Sequence, residues 1–268
     1  MTQAAQRIEL AAAALREAES KRRPLAAWPD GAGPRDLAEA YTVQDRFTSH
    51  LGRTIGYKIA YINPAVQRQL GIPSPLFGRL IEGRVARSPA RLDPALFSNL
   101  LIETEFSFRI ARALPARGAP FELEAVVDAV GAVIPSIELA DTRFADWRRV
   151  PALDAAADNA LGSHWVGGAE LEEFRALDLA QLEVTTFVNG REASRGRGAN
   201  VIGSPLLALR WLANELPRWG RGLEPGEIVT TGCCMDILEL APGDAAEADF
   251  GPLGRVRVEF PVSGTMRR

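Results

Sequence analysis

The chain of 268 residues is long enough for one large domain, or for a modest domain with a smaller companion, and its 47% hydrophobic and 24% charged content is ordinary for a globular protein. A formal net charge of -3 provides no broad basic surface, which argues against nucleic acid or an anionic membrane and leaves small molecules and proteins as partners. The two cysteines, Cys233 and Cys234, are adjacent, so neither a disulfide framework nor a cysteine-rich zinc site is available.

The first twenty residues interrupt their alanines with Arg7, Glu9, Arg16 and Glu17, so no uncharged signal-peptide core can be drawn and a helix is expected from Ala4 to Ser20. No segment offers about 18 uninterrupted apolar residues, and the expected location is the cytoplasm. After a proline- and glycine-rich loop, Leu37, Tyr41, Gln44, Phe47 and Leu51 recur at helical spacing, which predicts a second helix from Asp36 to Leu51 with only Gln44 breaking its apolar stripe. "TIGYKIAYI" reads as a strand. "NPAVQRQLG" reads as a short helix capped by Asn63, opened by Pro64 and stopped by Gly71.

From residue 76 onward strands dominate, with helices expected over Glu122–Val130, Leu153–Asn159 and Ser204–Leu216. "LEVTTFVNGREAS" has the strand, Asn-Gly, strand form of a two-residue hairpin, and "GEIVTTG" and "GRVRVEFPV" read as further strands. Strands and helices do not alternate strictly. A mixed α+β architecture is therefore expected rather than a doubly wound parallel sheet.

The stretch "LLIETEFSFRIARAL" raises a chemical question. Along a strand, Leu100, Ile102, Thr104, Phe106, Phe108 and Ile110 point one way, and Leu101, Glu103, Glu105, Ser107 and Arg109 the other. Two carboxylates then stand roughly 7 Å apart on one face. A second strand-like run, "AVIPSIELADTR", adds Glu138 among apolar residues. Acids sunk in apolar strands are costly unless paired, protonated or metal-bound, and three of them favour a hard divalent cation such as Mg²⁺ or Mn²⁺ over zinc. The bland alternative is an edge strand whose solvated face carries Glu103 and Glu105, with Arg109 as a distant partner. Lys58, mid-strand in "IGYKIAYI", is either a snorkelling surface residue or a functional base whose pKa desolvation lowers. Arg143 suits a bidentate grip on a carboxylate, or an ordinary ion pair with Asp141 or Asp146.

Taken in order, "GYKIAYINPAVQRQLGIPSPLFGRL", "IETEFSF", "IPSIELADTRFADW", "ADNALGSHWVGG", "GSPLLALRWLANEL", "GEIVTTG" and "DFGPLGRVRVEF" resemble the 2-keto-4-pentenoate hydratase and 4-oxalocrotonate decarboxylase branch of the fumarylacetoacetate hydrolase superfamily. The resemblance covers nearly the whole chain from residue 54. It implies a metal-binding β-roll catalytic domain over residues 76–268, a smaller, partly helical α/β domain over 1–75, Mg²⁺ or Mn²⁺, and a homo-oligomer. Glu103, Glu105 and Glu138 match the three carboxylate ligands of the family, and Lys58 matches its active-site lysine. The implied reaction is hydration of a 2-hydroxy-2,4-dienoate to a 4-hydroxy-2-oxo acid in aromatic meta-cleavage catabolism.

Departures from the pattern fall around the substrate. "PLFG" places Leu76 where the family often has an acid, and "DNALGSHW" places Leu161 and Gly162 where many relatives carry small polar residues. With Arg143 and His164, Leu76 is expected to border the substrate, although a histidine beside Trp165 also reads as structural. Neither histidine has a glutamate three residues on, so the water-activating dyad of the carbon-carbon bond hydrolases is missing. A decarboxylase is the nearest alternative, and a non-catalytic protein that binds 2-oxo acids is the alternative from another class.

Overall fold

The computed structural model describes residues 2–262; Met1 and residues 263–268, at the outer ends of the two expected domains, lie outside the described residues. Six helices are described: α1 (Gln3–Lys21), α2 (Leu37–Thr48), α3 (Pro64–Leu70), α4 (Leu123–Ala129), α5 (Ala152–Ala157) and α6 (Pro205–Glu215). The strands are β1 (Thr54–Ala60), β2 (Leu76–Ile81), β3 (Val85–Arg87), β4 (Ala90–Arg91), β5 (Leu101–Ile110), β6 (Val130–Ala140), β7 (Gly162–Gly167), β8 (Glu183–Val188), β9 (Arg191–Arg197), β10 (Ile228–Cys233), β11 (Leu238–Glu239), β12 (Ala245–Asp249) and β13 (Arg255–Glu259).

They form two sheets. The larger runs β2-β1-β10-β5-β6-β7-β3, with β11 added beside β5, and the smaller runs β4-β13-β12-β8-β9. β1 is parallel to β10 and antiparallel to β2, so the lysine-bearing strand lies inside the larger sheet. The architecture is α+β with mixed sheets, as the sequence predicts.

The even-numbered face of β5 turns to the smaller sheet. Phe106 meets Phe250 edge-on at 5.2 Å between ring centres, and the Thr104 and Thr186 hydroxyls hydrogen-bond at 2.8 Å. Phe106, Phe108 and Ile110 are fully buried there. Each such side chain contributes about 1.5–3 kcal/mol of apolar burial.

Local signals explain the element ends. Asn63 caps α3 by accepting the Ala65 amide, and Gly71 ends it with a left-handed φ of 67°. Asn189 and Gly190 are both left-handed, the form a two-residue hairpin requires. Gln44, the break in the stripe of α2, is buried and joins three elements: its Nε2 donates to the Phe77 carbonyl of β2 at 3.0 Å and to the Ala156 carbonyl of α5 at 2.7 Å. Helices α1, α2 and α5 thereby stack at the β2 end of the larger sheet.

Two boundaries differ from expectation. α2 stops at Thr48, because Ser49 caps it and the chain turns through His50 and Leu51 before Gly52. α5 stops at Ala157, because Asn159, Ala160 and Leu161 turn left-handed. Among the described residues no helix is long and apolar enough to cross a membrane.

Candidate metal centre and active site

The register between β5 and β6 assembles the acids. Glu103 stands directly opposite Glu138, and Glu105 directly opposite Ser136, so the three carboxylates share one face of two adjacent strands. One carboxylate oxygen from each lies within 4.8 Å of the others. Twice the oxygen distance of a bound cation is about 4.1 Å for Mg²⁺ and about 4.6–5.2 Å for Ca²⁺, so an ion of Ca²⁺ size spans that gap and one of Mg²⁺ size requires the oxygens to close in. β5 is paired on both sides, by β10 and β6, which removes the edge-strand alternative. Arg109 is not a partner of the acids either, since it pairs with Glu170 and Glu172.

Glu105 is held on one side only. The Thr230 hydroxyl and the Gly232 amide, the latter at 2.9 Å, both donate to its Oε2. A register shift in β10 between Thr230 and Cys233, with Gly232 at a φ of +100°, lets both donors reach the same oxygen. Its other oxygen, Oε1, has no hydrogen-bond partner among the described residues, and neither does Glu138 Oε2. Orphaned buried carboxylate oxygens are rare in finished structures and fit a divalent cation with oxygen ligands. Burial first, and then Glu138 and Glu103, push the Glu105 carboxyl well above its usual pKa; burial and Glu103 push Glu138 up to about 7 against the pull of Lys58.

Lys58 is 1% exposed, which excludes snorkelling. Its Nζ lies 2.9 Å from Glu138 Oε1 and donates to the Ala160 carbonyl at 2.9 Å. Burial works against the ammonium, but Glu138, Glu103 and Glu105 together outweigh it and hold its pKa above the usual lysine value. The lowering anticipated from desolvation alone is therefore reversed by three converging acids. Beneath the acids, Ser107 and Ser136 hydroxyls bond at 2.7 Å, Ser136 donates to the Glu105 carbonyl at 2.9 Å, and the Trp165 indole donates to Ser107 at 3.1 Å.

The remaining sequence candidates are placed in different ways, and His164, paired with Leu139 rather than with Glu138, lies on the opposite face of the larger sheet from the acids. Leu76 is buried opposite Ala60 in the β1–β2 pair, on the sheet face that Lys58 shares, and supplies an apolar wall there. Arg143 is buried, but its partner is Asp158 rather than Asp141 or Asp146: Nε pairs with the Asp158 carboxylate, and Nη1 lies 3.5 Å from Glu19. His164 turns its ring edge to Phe97 at 5.0 Å and shares a 3.0 Å hydrogen bond between Nδ1 and the Ser163 hydroxyl. Burial, aided by Arg84, pushes its pKa down to about 4. Cys233 and Cys234 are unbridged, and burial raises both thiols above their usual pKa, so neither is a ready thiolate.

Several contributors were not singled out from the sequence: Thr230, Gly232, the Ala160 carbonyl, and Tyr61. Tyr61 follows β1 with a left-handed φ of 57°, an uncommon conformation for a bulky residue. Its side chain is partly buried, and its phenol feels the charges of Lys58 and Glu103. One compositional signal was available: lysine occurs only at positions 21 and 58 among 31 basic residues, so a lysine within a strand is conspicuous.

Known proteins resemble the chain along nearly its whole length. The chain is 32% identical over 259 residues to 2-keto-4-pentenoate hydratase of Paraburkholderia xenovorans (strain LB400), covering 95% of each chain. Structures of 4-oxalocrotonate decarboxylase from Pseudomonas putida G7 superpose over 97% of this chain and 99% of theirs: the complex with magnesium and adipate at 25% identity and a TM-score of 0.88, that with calcium and acetate at 26% and 0.87. The family profile described as fumarylacetoacetate (FAA) hydrolase C-terminal matches residues 84–260. The chain belongs to the fumarylacetoacetate hydrolase family.

Proposed function

We propose that the protein is a divalent-metal-dependent hydratase that converts a 2-hydroxy-2,4-dienoate to a 4-hydroxy-2-oxo acid in aromatic meta-cleavage catabolism. The observation that carries this reading is the β5–β6 register, which gathers Glu103, Glu105 and Glu138 with unpartnered carboxylate oxygens beside Lys58. The three glutamates would hold Mg²⁺ or Mn²⁺. When bound, such an ion supplies a Lewis acid for the C1 carboxylate and C2 oxygen of a 2-oxo acid.

Hydration of 2-hydroxypenta-2,4-dienoate needs two proton movements. The C2 enol loses its proton while C5 gains one, which leaves a conjugated ketone; the oxygen of water then bonds to C4 while C3 is protonated. Lys58 is the group that moves a proton. Its Nζ donates one N–H to the Ala160 carbonyl and is ion-paired with Glu138 Oε1, which leaves N–H donors for the substrate. Trp165 and Leu76, both buried on the larger sheet, help keep bulk water from the reacting carbons. Assembly as a homo-oligomer rests on the resemblance.

Leu76 favours a second reading. An apolar side chain in that place accepts no proton from an attacking water, whereas loss of CO₂ from a second carboxylate needs only the same dienolate, so a 4-oxalocrotonate-type decarboxylase is the alternative. Metal-stripped protein incubated with 2-hydroxypenta-2,4-dienoate, with and without Mg²⁺ or Mn²⁺, decides between them. Metal-dependent loss of diene absorbance with formation of 4-hydroxy-2-oxopentanoate establishes the hydratase. No hydration, together with CO₂ release from 4-oxalocrotonate, establishes the decarboxylase. Metal and 2-oxo-acid binding without either reaction establishes a non-catalytic binding protein.

A further inference from the structure

Lys58 can aim an N–H at a substrate only if the groups that hold its ammonium, the Ala160 carbonyl and the Glu138 carboxylate, are themselves fixed. Glu138 is fixed by its strand. Ala160 belongs to a turn in which three consecutive L-residues, Asn159, Ala160 and Leu161, have φ of 55°, 50° and 61°. A left-handed backbone is unfavourable at each of them, and such a run persists only where its surroundings impose it.

The Asn159 side chain is the first clamp. Its Oδ1 accepts the Arg79 amide at 2.7 Å and its Nδ2 donates to the Arg79 carbonyl at 3.0 Å, so one amide group satisfies both backbone groups of a residue in β2. Gly78 makes this approach possible, since a Cβ there would stand 2.3 Å from the Asn159 carbonyl oxygen. Arg143 is the second clamp: Nη2 donates to the carbonyls of Asp158 at 3.0 Å and Gly162 at 3.4 Å, one on either side of the turn. The turn then presents the Ala160 carbonyl to Nζ. Gly162, at its exit, leaves space for Asn159, because a Cβ there would lie 3.0 Å from both its Nδ2 and its carbonyl oxygen.

We infer that Asn159 is a positioning residue for Lys58: its side-chain amide locks the left-handed turn to β2 and so fixes the Ala160 carbonyl that, with Glu138, directs the ammonium group. Arg143 serves the same turn from its other side. The effect on turnover rests on the proposed role of Lys58 in proton transfer, whereas the effect on the lysine itself does not.

Acetylation with limiting acetic anhydride, read by peptide mass spectrometry, monitors the effect on the lysine without substrate. Lys58 and Lys21 are the only lysines, and the exposed Lys21 serves as internal reference. Asn159→Gly is the informative variant, since glycine accepts the left-handed backbone and only the side-chain hydrogen bonds are lost. It should raise Lys58 acetylation relative to Lys21 about tenfold, and lower kcat by about tenfold to a hundredfold with little change in KM. Asn159→Asp, which retains the acceptor for the Arg79 amide, should recover part of both. Leu212→Ala, a cavity in the buried face of α6, supplies a comparison matched for loss of melting temperature.

Equal Lys58 acetylation in wild type and Asn159→Gly would overturn the inference, as would an equal rise in Leu212→Ala. Absence of turnover in the wild type would count against the hydratase reading alone, because the acetylation ratio still tests the clamp.

Discussion

Two buried ion pairs, Arg143–Asp158 and Lys58–Glu138, occupy neighbouring parts of the molecule and differ in how completely their atoms are used. Asp158 Oδ1 receives Arg143 Nε, while Oδ2 receives the Thr142 hydroxyl at 2.7 Å and the Arg143 amide at 2.8 Å. The guanidinium spends Nη2 on two carbonyls and lies 5.3 Å from the ring centre of Phe47. At the other pair, Glu138 Oε2 and Glu105 Oε1 receive nothing, and three acids crowd one ammonium. Burial alone does not separate the two. Saturation does: a pair with both carboxylate oxygens engaged holds the fold, and one with open oxygens beside like charges is arranged for an added ligand.

Removing one partner of the saturated pair should have the largest effect on stability. Arg143→Met leaves Asp158 buried without its cation and should cost about 3–5 kcal/mol, measured as a shift of the urea unfolding midpoint at constant slope. The open pair should respond in the opposite sense. Glu138→Gln or Glu105→Gln removes one of three repelling carboxylates, so in the presence of chelator the variants should be at least as stable as the wild type. Their turnover with added Mg²⁺ should nevertheless fall by about 10²–10³-fold, equivalent to about 3–4 kcal/mol. A loss of stability in chelator that matches Arg143→Met would erase the distinction between the pairs.

Much of the open site was legible in the sequence, because strand alternation is a local property. Glu103 and Glu105 share a face by their spacing, and Glu138 stands out as an acid in an apolar run. Their convergence is a matter of register between strands, which spacing within one strand does not contain. For the same reason the pKa of Lys58 was expected to move down: desolvation can be read from its apolar neighbours, but three facing acids cannot. The saturated pair was hidden more thoroughly. Arg143 has acids close in sequence at Asp141 and Asp146, yet Asp141 caps the amides of Ser98 and Asn99, and Asp146 caps a short helical turn through the Arg148 amide. The true partner, Asp158, arrives only because α5 ends two residues before the left-handed turn, a conformation that no glycine announces.

Metal binding gives a smaller thermodynamic measure of the same contrast. With Mg²⁺ at 100 times its Kd, the wild type should gain about 2.7 kcal/mol in unfolding free energy, and Glu138→Gln should gain far less. Arg143→Met, though destabilised, should retain most of the increment, since its saturated pair holds the fold and not the ion. Loss of the increment in that variant would mean that the two pairs act as one unit.

The smallest effect concerns His164, which faces the same charged cluster as Arg143. Its pKa near 4 in the folded protein lies below the ordinary histidine value of about 6.5, with burial as the main cause and Arg84 next. Between those values the unfolded chain binds a proton that the folded chain refuses, so His164 withdraws stability as pH falls through that window and is neutral in its effect above it. Asp158, Glu138 and Glu105 have folded-state pKa values moved upward and act in the opposite sense, but they are present in both wild type and His164→Gln. The difference in unfolding free energy between those two proteins isolates the imidazole. It should shift by on the order of 2 kcal/mol against the wild type between pH 7.5 and pH 4.5. Unfolding curves that stay parallel across that range would show that the ring is open to protonation rather than packed within the cluster around Arg143.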